Sequence, residues 1–229
     1  MGGEGTEVQG VLAVVAVVAA YIMGSVPFGV LIVRISTGLD LRHLHSGRTG
    51  GTNAMRAAGL WAGAATALAD ALKGAAAVWL ARGLTGSMAW VEVLAGLAAV
   101  LGHNYSIFLV ERRDGVIRLR GGAGGAPTVG AAFGLWAPSP LIVIPLSLLV
   151  LMGIGYASVA TMSTGLIITA AFTWAARAGY IPGEYIAFGL LVEILLLVAL
   201  RPNIRRLVDG TERVVGWRAR RGRGSSEHD

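Results

Sequence analysis

Residues 8–33 read VQGVLAVVAVVAAYIMGSVPFGVLIV, a run in which no side chain carries a formal charge. At about 1.5 Å per residue, a helix of that length exceeds the roughly 30 Å hydrocarbon thickness of a bilayer. The whole stretch between Arg120 and Arg177 is also free of charge, enough for about three crossings at ~20 residues each. The 229-residue chain is 55% apolar and only 14% charged, against roughly 25% charged in soluble domains. A soluble globule of this length needs a polar shell that these residues do not supply. The fold class is therefore read as an all-α integral membrane protein. Thirty-four glycines are scattered through the Val, Leu and Ala runs, where close-packed membrane helices use them.

The formal net charge is +6 and the pI is near 10.5. In a soluble protein that balance points to nucleic acid; here the membrane accounts for it and no nucleic-acid partner is expected. Cysteine is absent, so thiol catalysis, disulfides and thiolate metal sites are excluded. Glu4 and Glu7, rather than basic residues, precede the first apolar run. The run therefore reads as an anchor and not a cleaved signal peptide.

Six further spans are predicted. Residues 57–81 are interrupted only by Asp70 and Lys73, and residues 85–109 carry Glu92 and His103 toward their ends. Three shortish helices fill the charge-free stretch, separated at Trp136-Ala137-Pro138-Ser139-Pro140 and Gly153-Ile154-Gly155-Tyr156, and residues 181–200, with Glu193 inside, form the last. Arginine placement fixes the orientation, because cytoplasmic loops retain Lys and Arg. Arg34, Arg42, Arg48 and Arg56 fall in one loop and Arg112, Arg113, Arg118 and Arg120 in the next, with more in the tail; Arg82 and Arg177 alone lie on the other side. Seven helices with the N-terminus outside and the C-terminus cytoplasmic satisfy this asymmetry. A membrane domain over residues 1–208 and a basic, disordered cytoplasmic tail over 209–229 complete the organisation.

The first cytoplasmic loop reads Leu44-His45-Ser46-Gly47-Arg48-Thr49-Gly50-Gly51-Thr52-Asn53, with Arg56 opening the next helix. Glycines let backbone N–H groups approach an anion, hydroxyls add donors, and the helix N-terminus adds partial positive charge. A plain flexible loop has the same composition. The second loop, Arg118 and Arg120 followed by Gly121-Gly122-Ala123-Gly124-Gly125, repeats the pattern on the same face. Two such loops fit two phosphate groups or one doubly charged head group; attraction to anionic lipid is the other reading.

Asp70 and Lys73 share one helix face and can pair within the membrane, as structure or as chemistry. Glu193 faces the bundle and is expected to find a hydroxyl such as Tyr156 or Thr161. His103 orients a substrate or a loop, unless it is a satisfied structural histidine. His43 and His45 have no carboxylate cluster beside them, so no metal site is expected. No His is followed four residues on by Asp, which excludes the acyltransferases built on that spacing.

These segments, in order, resemble the integral-membrane acyl-phosphate:glycerol-3-phosphate acyltransferase family, the PlsY type. Gly24-Ser25-Val26-Pro27-Phe28-Gly29 is similar to its G-S-[IV]-P-F-G, and residues 46–53 to its S-G-N-x-G-A-T-N. Asp70-Ala71-Leu72-Lys73-Gly74 matches D-x-x-K-G, and Gly102-His103 with Phe108-Leu109 follows G-H-x-F-P-x-F-L. Asn203-Ile204-Arg205-Arg206-Leu207 with Gly210 and Glu212 resembles the closing N-I-x-R-L and G-x-E. The departures are Arg48 for Asn, Ala123 for the second lysine of K-G-G-K-G, and Leu200 for a His three residues before Asn203. An insert over residues 111–119 reads as a hairpin turning at Asp114-Gly115.

The resemblance implies transfer of a fatty acyl chain from acyl phosphate to the 1-hydroxyl of sn-glycerol 3-phosphate, giving lysophosphatidic acid for phospholipid synthesis. It implies a multi-pass protein of a bacterial-type plasma membrane, active on the cytoplasmic face, with no dissociable cofactor and no metal. It places Ser46, Arg56, His103 and Asn203 at the chemistry. Gly47, Arg48, Thr49, Gly50, Gly51, Thr52, Asn53, Arg120, Gly121 and Gly122 become phosphate ligands, and Asp70, Lys73 and Glu193 structural polar residues. Acyl chains enter sideways from membrane lipid. Two rivals stand beside it: a non-catalytic or altered-substrate paralogue, motivated by Ala123 and Leu200, and a small lipid or solute transporter, motivated by the intramembrane charges.

Overall fold

The computed structural model describes residues 2–113 and 115–215. Ten helices and one hairpin follow in order: α1 (Gly2–Ser25), α2 (Phe28–Thr37), a 3-10 turn (Leu41–His43), α3 (Gly51–Ala58), α4 (Leu60–Thr85), α5 (Ala89–Asn104), β1 (Ser106–Arg113), β2 (Val116–Arg120), α6 (Gly125–Leu135), α7 (Pro140–Ile154), α8 (Ala157–Arg177), α9 (Tyr185–Ala199) and α10 (Arg201–Val208).

Among these, residues 5–37, α4 and α8 are long and apolar enough to cross a bilayer alone; α9 passes together with α10, which bends away by 65°. α5 and α7 are apolar but shorter. The seven apolar runs read from the sequence are thus helices of unequal length. α1, α5, α7 and α9 end, and α4, α6 and α8 begin, at the pole where both glycine loops lie, so chain direction alternates through the bundle. Large apolar side chains such as Leu68, Leu141 and Leu149 point outward, as they do when lipid rather than water is the solvent.

The first run is not one continuous helix. Pro27 lacks an N–H and its ring crowds the preceding turn, so α1 stops at Ser25 and α2 restarts at Phe28. The break releases the Val26 carbonyl, which accepts from Lys73 Nζ at 2.9 Å. Lys73 also stands 5.7 Å from the centre of the Phe28 ring, within cation–π range.

Small residues set the helix spacing. A Cβ at Gly130 would meet the backbone of Ala71, and one at Gly134 would meet Val78 and Ala75, so α6 lies backbone to backbone on α4. Gly24 and Gly102 similarly bring α1 against α5. The main apolar core gathers Val78, Val100, Leu135, Phe172 and Phe188 between α4, α5, α6, α8 and α9. At the pole opposite the glycine loops, Glu92 is fully buried and receives Arg82 Nη2 and Tyr185 Oη, each at 2.6 Å.

The hairpin expected over residues 111–119 exists and is longer, adding a small sheet to the helical architecture. Val110 pairs with Leu119 and Glu111 with Arg118, with a register shift between Ser106 and Val110. Asp114 at its turn lies outside the described residues, as do residues 216–229 of the expected tail. Residues 209–215 of that tail pack back onto the bundle, where Val215 N–H donates to the Gly155 carbonyl at 2.7 Å.

Candidate functional site

A cavity of about 680 Å³ opens at the glycine-loop pole. The helix starts at Gly51, Gly125 and Ala157 all contribute to its wall, and first-turn amides there have no acceptor inside their own helix. Three positive helix ends therefore converge on one space.

Of the residues expected at the site, Ser46, Gly47, Arg48, Gly50, Gly51, Thr52, Asn53, Arg56, His103, Asn203, Arg120, Gly121 and Gly122 line the cavity, and Asp70 lines it too. Thr49 is buried behind it, where its N–H donates to the Gly121 carbonyl at 3.3 Å and joins the two loops. Asn53 organises its own loop: its amide points at the carbonyls of Arg48 (2.8 Å), Leu44 (3.1 Å) and Leu41 (3.4 Å). That leaves little of it for a ligand.

The floor is a three-residue cluster carried by the middle of α4 and the last turn of α5. Lys73 Nζ lies 2.7 Å from Asp70 Oδ1 and 3.0 Å from His103 Nδ1, which is 3.4 Å from Asp70 Oδ1. Asp70 and Lys73 thus pair as the three-residue spacing requires, and they also hold His103. A side chain at Gly122 would strike His103 Nε2, so the glycine lets the second loop close over the imidazole. The next turn needs Gly124 at φ +93, a conformation costly for any residue with a Cβ.

The cations differ in how they are held. Arg120 Nε pairs with Glu111 at 2.5 Å across the hairpin, and Arg206 Nε with Glu212 at 2.8 Å. Arg48 donates to Gly122 O (3.1 Å), Ala199 O (2.8 Å) and Asn203 Oδ1 (3.0 Å). Arg56 and Arg48 have no carboxylate within ion-pair distance among the described residues. Burial pushes both guanidiniums below their ordinary value, with Arg213 adding repulsion at Arg56 and Arg206 at Arg48. Guanidiniums stay charged nonetheless, so the cavity holds net positive charge seeking an anion.

Glu193 lies away from the cavity. It packs on Gly165 of α8, and its Oε2 meets neither Tyr156 nor Thr161; the hydroxyl partner expected for it is replaced by helix packing. Ser158, invisible as a site residue in the sequence, donates to Glu212 Oε1 at 3.0 Å, which also accepts from Asn203 Nδ2 at 2.8 Å. The Gly155-Tyr156 break was the available signal, since a helix must begin just after it.

Fold and cavity together define a class: a helical integral membrane protein with a cation-lined cavity at one pole of its bundle. The chain belongs to the glycerol-3-phosphate acyltransferase family, whose model matches residues 14–210. It is 38% identical over 208 residues to the glycerol-3-phosphate acyltransferase of Rubrobacter xylanophilus, covering 91% of this chain and 98% of that one. It is 38% identical over 207 residues to that of Thermus thermophilus, covering 90% and 97%. Among solved structures it is similar to the glycerol 3-phosphate form of PlsY (YgiH), an integral membrane glycerol 3-phosphate acyltransferase, with TM-score 0.75, 32% identity and 89% and 96% coverage. The lysophosphatidic acid form of that enzyme matches with TM-score 0.69.

Proposed function

We propose that this protein transfers a fatty acyl chain from acyl phosphate to the 1-hydroxyl of sn-glycerol 3-phosphate, forming lysophosphatidic acid and phosphate. The observation that carries the reading is the single cavity into which two uncompensated guanidiniums and three helix N-termini converge, a site for more than one phosphate. Similarity to structures described in glycerol 3-phosphate and lysophosphatidic acid forms supports the same pair of ligands here.

The chemistry asks little of the protein beyond positioning. Acyl phosphate is a mixed anhydride with a good leaving group. The glycerol hydroxyl oxygen bonds to the acyl carbon, the bond from that carbon to the phosphate oxygen breaks, and phosphate leaves with the electron pair. The hydroxyl proton passes to phosphate or water. Holding two anions together against their repulsion, in an oriented pair, is the main rate contribution. We assign the donor's phosphate to the Gly47–Thr52 backbone, with Ser46, Arg56, Arg120 and Asn203 around the acceptor and His103 as an orienting donor. Asp70 and Lys73 hold His103 in place. The acyl chain lies between helices, reached from the lipid.

We read seven crossings of a bacterial-type plasma membrane, N-terminus outside, with the cavity facing the cytoplasm. Alternating helix direction and the confinement of most arginines to the cavity pole support it. The deciding experiment supplies purified protein with palmitoyl phosphate and glycerol 3-phosphate. Lysophosphatidic acid and phosphate in equal amounts are expected; absence of both from folded protein removes the reading. The apolar Ala123 and Leu200 in the cavity wall favour a second reading, an altered acceptor, which a panel of polyol phosphates in the same assay separates.

A further inference from the structure

Arg48, Ala123 and Leu200 are scattered over the sequence as departures from the family pattern, yet they meet in space. All three line the cavity. Arg48 Nη1 donates to the carbonyl of Gly122, one peptide before Ala123, and Nη2 to the carbonyl of Ala199, one peptide before Leu200. One guanidinium, reaching across from the first loop, therefore stands beside both positions whose side chains have become apolar.

Its surroundings suit a cation that also faces a ligand. Ala199 is the last residue of α9, so its carbonyl belongs to the negative end of that helix and favours positive charge. The third bond goes to Asn203 Oδ1. Every acceptor is neutral, so the charge is not cancelled, unlike those of Arg120 and Arg206 in the same wall. A guanidinium has five N–H donors. Three are engaged here, which leaves Nε–H and one Nη1–H, on different edges of the plane, each able to meet one anionic oxygen.

Taking glycerol 3-phosphate as acceptor from the acyl-transfer reading, we propose that Arg48 is a phosphate-binding residue that replaces, with one side chain, the polar groups missing at Ala123 and Leu200. The three positions form one compensating exchange: charge withdrawn from the second loop and the α9–α10 bend returns from the first loop. Arg48 also ties these three segments together, so the charge that binds the ligand is the one that sets the shape of its site.

The test is a mutant cycle read by glycerol 3-phosphate binding in detergent, measured by calorimetry. Arg48→Gln, which keeps a donor for one carbonyl but removes the charge, is expected to weaken binding at least tenfold. Adding Ala123→Lys with Leu200→His in that background is expected to recover most of the loss. With Arg48 present, the same pair is expected to gain at least fivefold less. Equal gains in the two backgrounds, or an Arg48→Gln protein that binds like wild type, would overturn the exchange. Melting temperature is followed throughout. If Arg48→Gln does not fold, the cycle is run from Arg48→Lys, where the same non-additivity is expected at smaller size and strict additivity is the refuting result. Wild-type turnover is measured separately. Binding that follows the cycle without lysophosphatidic acid formation would remove the acyl-phosphate donor and leave Arg48 its role. Additivity with full turnover would remove Arg48's role alone, and a wild type that does not bind glycerol 3-phosphate removes both.

Discussion

Lys73 Nζ lies 3.0 Å from His103 Nδ1. We assign Lys73 as the charged donor and Nδ1 as its acceptor, which puts the imidazole proton on Nε2, the nitrogen facing Gly122 and the cavity; the opposite tautomer has Nδ1–H donating to Asp70 Oδ1, 3.4 Å away. Held so, His103 offers a hydrogen-bond donor to a substrate oxygen rather than a base to its hydroxyl. Lys73→Met is expected to free the ring and lower kcat at least tenfold, about 1.4 kcal/mol of transition-state stabilisation, with a smaller change in glycerol 3-phosphate KM. Nitrogen NMR of labelled histidine should report the proton on Nε2 in the wild type; a proton on Nδ1 would reverse the assignment.

Arg56 sits in the last turn of α3 and reaches the cavity without a carboxylate partner. Its charge is therefore free for substrate, and little packing depends on it. Arg56→Ala is expected to raise acceptor KM tenfold or more while the melting temperature moves by less than a few degrees. Ser46→Ala, in the exposed loop that leads into α3, should reduce transfer with equally little effect on folding. Activity within twofold of wild type for both would remove them from the site.

Much of this site was legible because its chemistry is written in short local segments. Glycine-rich loops beside arginines, the three-residue Asp70–Lys73 spacing and the pairing of the strands that flank residue 114 each follow from neighbours in sequence, and all three are where that reading put them. What stayed hidden depends on long-range folding. Nothing near Arg48 in sequence announces that it binds the carbonyl of Ala199, 151 positions away. Pro27 was visible, but its effect was not: it splits a continuous apolar run, and the partner of the freed Val26 carbonyl, Lys73, lies 47 positions away. Glu193 reads as needing a hydroxyl, yet the glycine opposite it lets two helices meet so closely that the carboxyl lies on Gly165.

Glu212 draws the tail over the cavity, accepting from Ser158, Asn203 and Arg206. Burial raises its pKa, but the three bonds more than offset this and hold the carboxyl below its ordinary value. A lowered folded-state pKa means that the stabilisation is complete above the unfolded value, about 4.3, and is lost as pH falls through the folded one. Exchange protection of the Val215 amide is therefore expected to fall below about pH 4 in the wild type. Glu212→Gln should show weaker protection at neutral pH and a flatter profile, with the two curves converging in acid.

Topology is open to direct measurement. With the cavity on the cytoplasmic side, a reporter fused at Gly224 should show cytoplasmic activity and one inserted between Arg82 and Ser87 external activity. An external signal at Gly224 would invert the seven-crossing reading and the side from which soluble glycerol 3-phosphate arrives.

The pole away from the cavity carries a test of stability alone. Glu92 is buried to 1% exposure, and Arg82 binds it through Nη2 at 2.6 Å and Nε at 3.1 Å. The pair ties the end of α4 to the start of α5, and Tyr185 adds α9. Taking two charges out of water is costly, and their attraction repays it only while both are present. Arg82→Met leaves a buried carboxylate with one phenol for company and should cost about 3–5 kcal/mol. The double variant Arg82→Met, Glu92→Met removes the stranded charge and should regain most of that loss in chemical denaturation of the detergent-solubilised protein. Acyl transfer per folded molecule should be nearly constant across the series, since no member of this cluster lines the cavity. If the double variant is as unstable as the single one, the cluster's value lies in packing around Glu92 rather than in its charge.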